Sequence, residues 1–245
     1  MKGLMLHCGA KPADLVQLQE APTPEPTRSY CPIPFHEIRE MLLDEIALQL
    51  PEHEVASEAH GLSRGAKRWF GTVQLRHEHP AMGLNIGARS SHDQSLPVAL
   101  AAGAWVFVCD NMMFESDGVM VKRKHTTHAY EDVRAMIKAT VSSAQARFDQ
   151  IERQVEAMQR LELSEGMGYM MLGLAYGQRA LSTRQMTVAT EEWQSPPEHF
   201  AERNAWNWYN AVTESLKHGE AGNMLKAHVQ AHEWTVRNFD ALGVR

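Results

Sequence analysis

Polar residues that can do acid–base chemistry gather at predicted strand ends between positions 89 and 128. One predicted strand runs into RSSHD at 89–93, a second ends in CDN at 109–111, and a third ends at His125. Strands fix the geometry of the loops that follow them, so polar groups there often form a site. A histidine there can act as a general base, and an arginine can hold a phosphate or carboxylate. The sequence therefore predicts a cleft with these catalytic candidates: His92, His125, Arg89 and Asn111.

Three adjacent polar residues, Ser91, His92 and Asp93, do not form a catalytic triad among themselves. Neighbours in an extended chain point in opposite directions, so joint chemistry needs partners from elsewhere in the fold. The alternative is structural, because Ser91 or Asp93 has the side chain to cap a short helix through 97–102. Ser91 and Asp93 are therefore further site candidates, with the helix cap as the competing interpretation.

Cys109 and Asn111 end the second predicted strand. Cys109 follows the apolar run 106–108, and cysteine is among the most buried residue types. A nucleophilic Cys109 would need a thiolate beside His92 or His125, so we favour a structural thiol. The amide of Asn111 can hold a backbone turn or bind a ligand.

Histidine spacing leaves a divalent metal as an open cofactor expectation. The set His92, Asp93 and His125 could hold one, and His77 and His79 form another close pair. The sequence contains no HExxH motif and no paired CxxC motif, so the metal and its ligands stay unknown.

Two basic runs near aromatic residues indicate a different chemistry. Phosphates meet cations and bases stack on aromatic rings when a protein binds single-stranded nucleic acid. A solvated sheet face is the competing interpretation of the same residues. The nucleic-acid-binding candidates are Arg64, Lys67, Arg68, Trp69, Lys122 and Lys124.

Composition limits the class of protein. The chain has 245 residues, 44% of them hydrophobic, which is enough for a substantial core. Its net charge of -6 disfavours binding of nucleic acid by bulk charge and leaves a local patch as the route. Three cysteines without close spacing predict free thiols in a reducing cytosol. No apolar run reaches the roughly 20 residues of a membrane span, and no secretory signal is evident, so we expect a cytoplasmic protein.

The pattern of the chain predicts an α+β fold with a sheet-containing half and a helical half. An extended leader is expected at 1–34, because prolines recur there, and a helix follows from Phe35 to Pro51. Alternating residues predict an antiparallel sheet of about five strands at 54–60, 67–76, 82–90, 105–111 and 119–125. We expect one domain over 1–245, with the sheet-containing part at 35–128 and the helical part at 129–245.

The helical part opens with a long amphipathic pattern. Apolar residues from Val133 to Met158 recur every three or four positions, which predicts one helix of about 30 residues. Such a stripe either faces the core or forms a homo-oligomer interface over 130–160. Further helices are expected at 169–180, 201–217 and 221–240. Asn210 lies on the helix at 201–217, where it could face the same cleft as Asn111.

Several phrases of the sequence resemble a known family. They are HCGAKPADL, TRSYCPIPFHEI, RGAKRWFGTVQL, RSSHDQSLPVALAAGAWVFVCDN and NAWNWYNAVTESLKHG. Together they resemble the phage/plasmid-like domain of unknown function, family 932, over nearly the whole chain. The resemblance implies a protein carried on prophages, plasmids or other mobile elements. The family positions that this sequence matches are Arg89, Ser91, His92, Asp93, Cys109, Asn111, His125 and Asn210. Met112 follows Asn111 where the family pattern has glycine, which argues against a glycine-dependent turn at this position.

Three functions of different classes follow. The first is a mobile-element protein that binds single-stranded nucleic acid through a basic sheet face. The second is a hydrolase or transferase that uses the His/Arg/Asn cleft, with or without a metal. The third is an interaction or inhibitor protein that acts on host defence through a surface. The substrate and the biological role are not encoded in any motif of this chain.

Overall fold

The computed structural model describes residues 11–76, 82–106, 112–114, 121–123, 128–217 and 221–240. Within these ranges an antiparallel sheet in the first half is followed by a helical second half, so the predicted α+β class is confirmed. The strands are β1 (Lys11–Pro12), β2 (Val55–Ser63), β3 (Arg68–Leu75), β4 (Met82–Ser91), β5 (Val98–Val106), β6 (Met112–Phe114) and β7 (Val121–Arg123). The helices are α1 (Leu15–Gln19), α2 (Phe35–Gln49), α3 (Ala129–Ser142), α4 (Ala144–Arg160), α5 (Glu165–Gly177), α6 (Thr183–Gln194), α7 (Ala205–Leu216) and α8 (Ala221–Asp240), with a 3₁₀ turn at Glu198–Phe200.

The sheet is a meander in the order β1-β2-β3-β4-β5-β6, and β7 also pairs with β5. Alternation along β3 and β4 sends Leu75, Leu84 and Ile86 to one face, where they join the main core. α3 contacts β5, and α4 contacts β4 and β5. α8 contacts β3, β4 and β6. The central strands β3 and β4 bury nearly all of their residues, whereas β2 buries only His60 and Gly61.

Strand β5 begins seven residues before the predicted strand at 105–111 and shares residues 105 and 106 with it. The segment 97–102, which was interpreted as a short capped helix, begins strand β5 at Val98. Its residues are small and buried on both faces, so the apolar alternation of a half-exposed strand is missing. Residues 107–111 lie outside the described ranges.

The predicted long helix is two helices, α3 and α4, with a break at Ser143. The Ser143 hydroxyl donates to the carbonyls of Ala139 and Thr140 at 3.0 and 3.1 Å. Such back-bonding competes with regular helical hydrogen bonds and bends the chain. The apolar stripe, which includes Val133 and Phe148, is buried in the core. Core packing accounts for the stripe, and an oligomer through this segment finds no support from it.

The leader is more ordered than an extended chain. It contains β1, which pairs with β2, and the short helix α1, which is closed by a capping box between Asp14 and Gln17. Leu18 and Ile33 from the leader are buried in the main core. The helix α6 was not predicted, although Ser182 and Gln185 form a capping box at its start. Among the described residues, no helix combines the length and the apolar character needed to cross a membrane.

Candidate functional site

The loop between β4 and β5 is tied internally by Ser91. Its hydroxyl accepts a hydrogen bond from the Leu96 amide at 2.9 Å and donates to the Leu96 carbonyl at 3.0 Å. Asp93 accepts from the Ser95 amide and from Arg68 Nε, both at 3.0 Å. Burial opposes ionisation of Asp93, but hydrogen bonds from Ser95, Ser91 and Arg68 outweigh it and lower its pKa to about 2. Ser91 and Asp93 therefore shape a loop, and neither caps a helix.

His92 anchors the leader to the sheet. Its Nδ1 lies 2.9 Å from the Pro22 carbonyl and its Nε2 lies 3.0 Å from the Ile33 carbonyl. The ring stacks on Phe35, and the Tyr30 hydroxyl donates to the His92 carbonyl. The residue is 5% exposed. With both nitrogens engaged by backbone, this geometry favours a structural role over the predicted general base.

Arg89 lies inside the sheet, between Phe70 of β3 and Ala99 of β5. It is 4% exposed, and burial lowers the pKa of its guanidinium. The predicted phosphate or carboxylate clamp would need access from solvent. The structure places Arg89 beneath the surface instead.

Trp69 is a core residue. It is 2% exposed, and its ring stacks on Phe35 at a centroid distance of 5.9 Å. The ring of His60 lies 6.1 Å from the Trp69 ring between centroids, and burial lowers the pKa of His60 against the opposing effect of Glu58. The prediction that Trp69 stacks on nucleic-acid bases is inconsistent with this burial.

Cations collect at one end of the sheet. A single transverse row runs through Pro12, Gly61, Phe70, Arg89, Ala99 and Lys122. At about 4.8 Å per strand, Lys122 lies about 24 Å across the sheet from β1. Lys11, Arg64 and Lys67 are exposed at the same end, and Arg68 there is paired with Asp93. We call this surface the basic sheet end and define it as Lys11, Arg64, Lys67 and Arg68; the backbone of Lys122 pairs at the same end of the sheet.

A cavity of about 450 Å³ opens beside the β2–β3 turn. Lys11 and Arg64 line it together with Gln17, Pro22 and Leu62. The turn is unusual, because Arg64, Gly65 and Ala66 all have φ between 54° and 64°. Glycine takes this conformation freely, whereas each of the other two residues costs roughly 1–2 kcal/mol. Strain of this kind is often retained where a loop serves a ligand.

Asn210 lies in the helical half, and its placement in the same cleft as Asn111 stays a prediction because Asn111 lies outside the described residues. Asn210 is buried on α7, and its Nδ2 donates to the Trp206 carbonyl at 2.9 Å. It lines a cavity in the helical half with Asn207 and Glu192.

Four predicted site residues lie outside the described ranges: Cys109, Asn111, Lys124 and His125. Their roles stay predictions, as does the metal site that includes His125. Among the described residues, no group of three or more His, Cys, Asp or Glu side chains is placed to hold a metal ion. The pair His77 and His79 also falls outside the described ranges.

Two features of these sites were missed from the sequence. Lys11 belongs to the leader that was predicted to be extended, and nothing in the sequence indicated that it lines a cavity with Arg64. Glu192 lies on the unpredicted helix α6, which the capping-box residues Ser182 and Gln185 could have indicated.

Comparison with known proteins gives a family and no function. No curated protein matches the chain, and no solved structure matches it. The family model described as "Domain of unknown function (DUF932)" matches residues 26–242, which is nearly the whole chain. The chain therefore belongs to the DUF932 family.

Proposed function

We propose that the protein binds single-stranded nucleic acid of a mobile element, such as a phage or plasmid, through the basic sheet end. The observation that carries this proposal is the 450 Å³ cavity with exposed Lys11 and Arg64 in its lining. Exposed cations along one edge can follow a chain of phosphates. Binding of this kind is independent of sequence and weakens steeply with salt.

The cavity favours a single strand over a duplex. Bases of a duplex are stacked and paired, whereas an unpaired base can leave the strand and enter a recess. The lining residues Pro12, Pro22 and Leu62 offer apolar surface for a base, beside cations for its phosphate. In this proposal the recess provides the contact with a base that the sequence had predicted for Trp69, which is buried.

The overall charge of -6 means that attraction has to be local. Arg68 is already paired with Asp93, and Glu20 also lines the cavity. Lys11, Arg64 and Lys67 therefore carry most of the expected phosphate contact. We expect modest affinity for this reason.

The enzyme alternative receives less support. Both ring nitrogens of His92 face backbone carbonyls, and Arg89 is buried. The other two members of the predicted catalytic cleft, Asn111 and His125, lie outside the described residues, so their catalytic roles stay predictions.

The test is fluorescence anisotropy with a labelled 20-nucleotide thymidine strand, titrated at 50 and 200 mM salt. The double variant Arg64→Glu/Lys67→Glu should bind at least about tenfold more weakly, and each lost phosphate contact should reduce the salt slope by about one. The matched control is Arg76→Glu, an exposed cation at the other end of β3 that pairs with Glu54. It should change affinity less than about twofold.

Three results would contradict the proposal. One is an absence of binding at 50 mM salt. The second is an affinity that does not change with salt. The third is a weakening per reversed charge that is as large for Arg76→Glu as for the double variant, because binding would then respond to total charge and not to the basic sheet end.

A further inference from the structure

The helical half contains a second cavity, which the proposed nucleic-acid surface does not include. It measures about 300 Å³ and lies between α6, the 3₁₀ turn and α7. Pro197, Phe200 and Ala211 give it apolar walls. Its polar lining includes Glu192, Asn207 and Glu214. Apolar walls with a few convergent polar groups are typical of small-ligand sites.

Two hydrogen-bond acceptors in this lining are unused. Asn207 is 7% exposed, and its Nδ2 donates to the Glu202 carbonyl at 2.8 Å. Within the described part of the chain, its Oδ1 accepts no hydrogen bond. The half-buried carboxylate of Glu192 likewise has no hydrogen bond with any described residue. Neither residue has an atom among the described buried side-chain atoms that lack a partner, so both acceptors reach the space of the cavity and are available to a donor that enters it.

The side-chain donors of Lys217 and Asn210 in this lining are already engaged. Lys217 Nζ lies 2.6 Å from Glu214 Oε2, and the lysine side chain is 7% exposed. Asn210 donates to the Trp206 carbonyl. Two carboxylates, Glu192 and Glu214, stand against one ammonium, which leaves one net negative charge. A ligand with hydrogen-bond donors and positive charge therefore complements this lining.

We infer that this cavity binds a small organic cation, a primary ammonium group on an apolar stem. The ammonium donates to the Glu192 carboxylate and to Asn207 Oδ1. The stem lies against Pro197, Phe200 and Ala211. A cavity of this size admits a ligand of roughly the size of a single ring with one substituent.

The charge state of Glu192 gives the inference a second observable. Burial raises the pKa of Glu192, and the charges of Glu214 and Glu191 add to this effect while Lys217 opposes it. His199 also lines the cavity. A bound ammonium favours the ionised carboxylate, so binding should lower the pKa of Glu192.

The probe is benzylammonium, with benzyl alcohol and benzoate as neutral and anionic controls of similar shape. We expect saturable binding by NMR, with shifts at the Asn207 side-chain amide. The wild-type protein should bind benzyl alcohol and benzoate at least about tenfold more weakly than benzylammonium. The variant Glu192→Gln should bind benzylammonium at least about tenfold more weakly than the wild type does, as expected for the loss of a charge-assisted hydrogen bond. The control Glu191→Gln removes the same charge from a neighbouring exposed residue outside the lining, and it should change affinity less than about twofold.

A carbon-13 titration of Glu192 in the wild-type protein needs no variant. Its pKa should fall when benzylammonium is present and stay unchanged with benzyl alcohol. The inference is overturned if benzyl alcohol binds as tightly as benzylammonium, if Glu192→Gln keeps the wild-type affinity, or if benzylammonium leaves the pKa of Glu192 where it was.

Discussion

The imidazole of His92 lies flat on the ring of Phe35, with centroids 3.9 Å apart and planes 7° from parallel. Its two nitrogens face the carbonyls of Pro22 and Ile33. A neutral ring can donate to one of these oxygens, and a protonated ring can donate to both. One side chain therefore joins the sheet, the first residue of α2 and two points of the leader.

The variant His92→Phe should separate stacking from hydrogen bonding. A phenyl ring keeps the contact with Phe35 but leaves the carbonyls of Pro22 and Ile33 without this donor. We expect a loss of about 1–3 kcal/mol in the free energy of unfolding by urea, and faster tryptic cleavage at exposed Arg28. The control His128→Phe alters an exposed histidine. An unchanged urea midpoint for His92→Phe would show that these hydrogen bonds do not contribute to stability.

Two glycines of α5 should respond in opposite ways to alanine. A Cβ on Gly168 would lie 2.2–2.5 Å from ring atoms of Trp193, so Gly168→Ala should destabilise the protein by about 3 kcal/mol or more. A Cβ on Gly173 would have no atom within 4 Å, so Gly173→Ala should stabilise the helix by about 0.5–1 kcal/mol. Thermal unfolding of the two variants measures both signs. Equal effects would contradict the close approach of α5 to Trp193.

His232 should contribute to the loss of folding stability at low pH. The residue is 1% exposed, its Nε2 lies 2.9 Å from Gln154 Oε1, and burial lowers its pKa to about 4. The unfolded chain binds this proton near pH 6.5, so the stabilisation is complete above pH 6.5 and is lost as pH falls toward 4. The loss is at most about 3 kcal/mol.

The variant His232→Gln tests this contribution, because it removes the titrating ring. Urea unfolding at pH 7 and pH 4.5 should give a smaller difference for the variant than for the wild type. The control His128→Gln, an exposed site, should keep the wild-type difference. If His232→Gln keeps the full pH dependence, another group is responsible for it.

Asp93 should affect folding stability in a lower pH range than His232 does. Its pKa of about 2 lies below the ordinary value of 3.8, so its stabilisation is present above pH 3.8 and is lost as pH falls through about 2. Asp93→Asn should cost at most about 1 kcal/mol at pH 5, because the residue is exposed and screened by solvent. The difference between variant and wild type in urea midpoint should shrink at pH 2.5. A difference that grows with acid would contradict the pairing with Arg68.

Helices and strands that bury one face could be predicted from the sequence. The strands β2, β3 and β4 and the helix α2 were predicted within a few residues, because their apolar residues repeat with the right period. The start of strand β5 was missed because residues 98–104 are mostly small and are buried on both sides. Nothing in that pattern separates a buried strand from a short helix.

Site residues were harder to predict, because residue type does not report burial. His92 and Trp69 have side chains suited to chemistry and to stacking, and the fold uses both in packing. Trp69 shares its parity with Val73 and Leu75, which was the available sign that it faces the core. The cavity lined by Glu192 and Asn207 joins segments that are distant in sequence, so no local motif could indicate it.

The anchoring of the leader by His92 can form only after the chain has been synthesised well beyond the leader. His92 follows Pro22 by 70 residues, and at about 5–20 residues per second the ribosome takes several seconds to cover that distance. During this interval the carbonyls of Pro22 and Ile33 lack the imidazole that engages them in the finished fold. The leader therefore reaches its final anchorage only after the residues of β2, β3 and β4 have been synthesised.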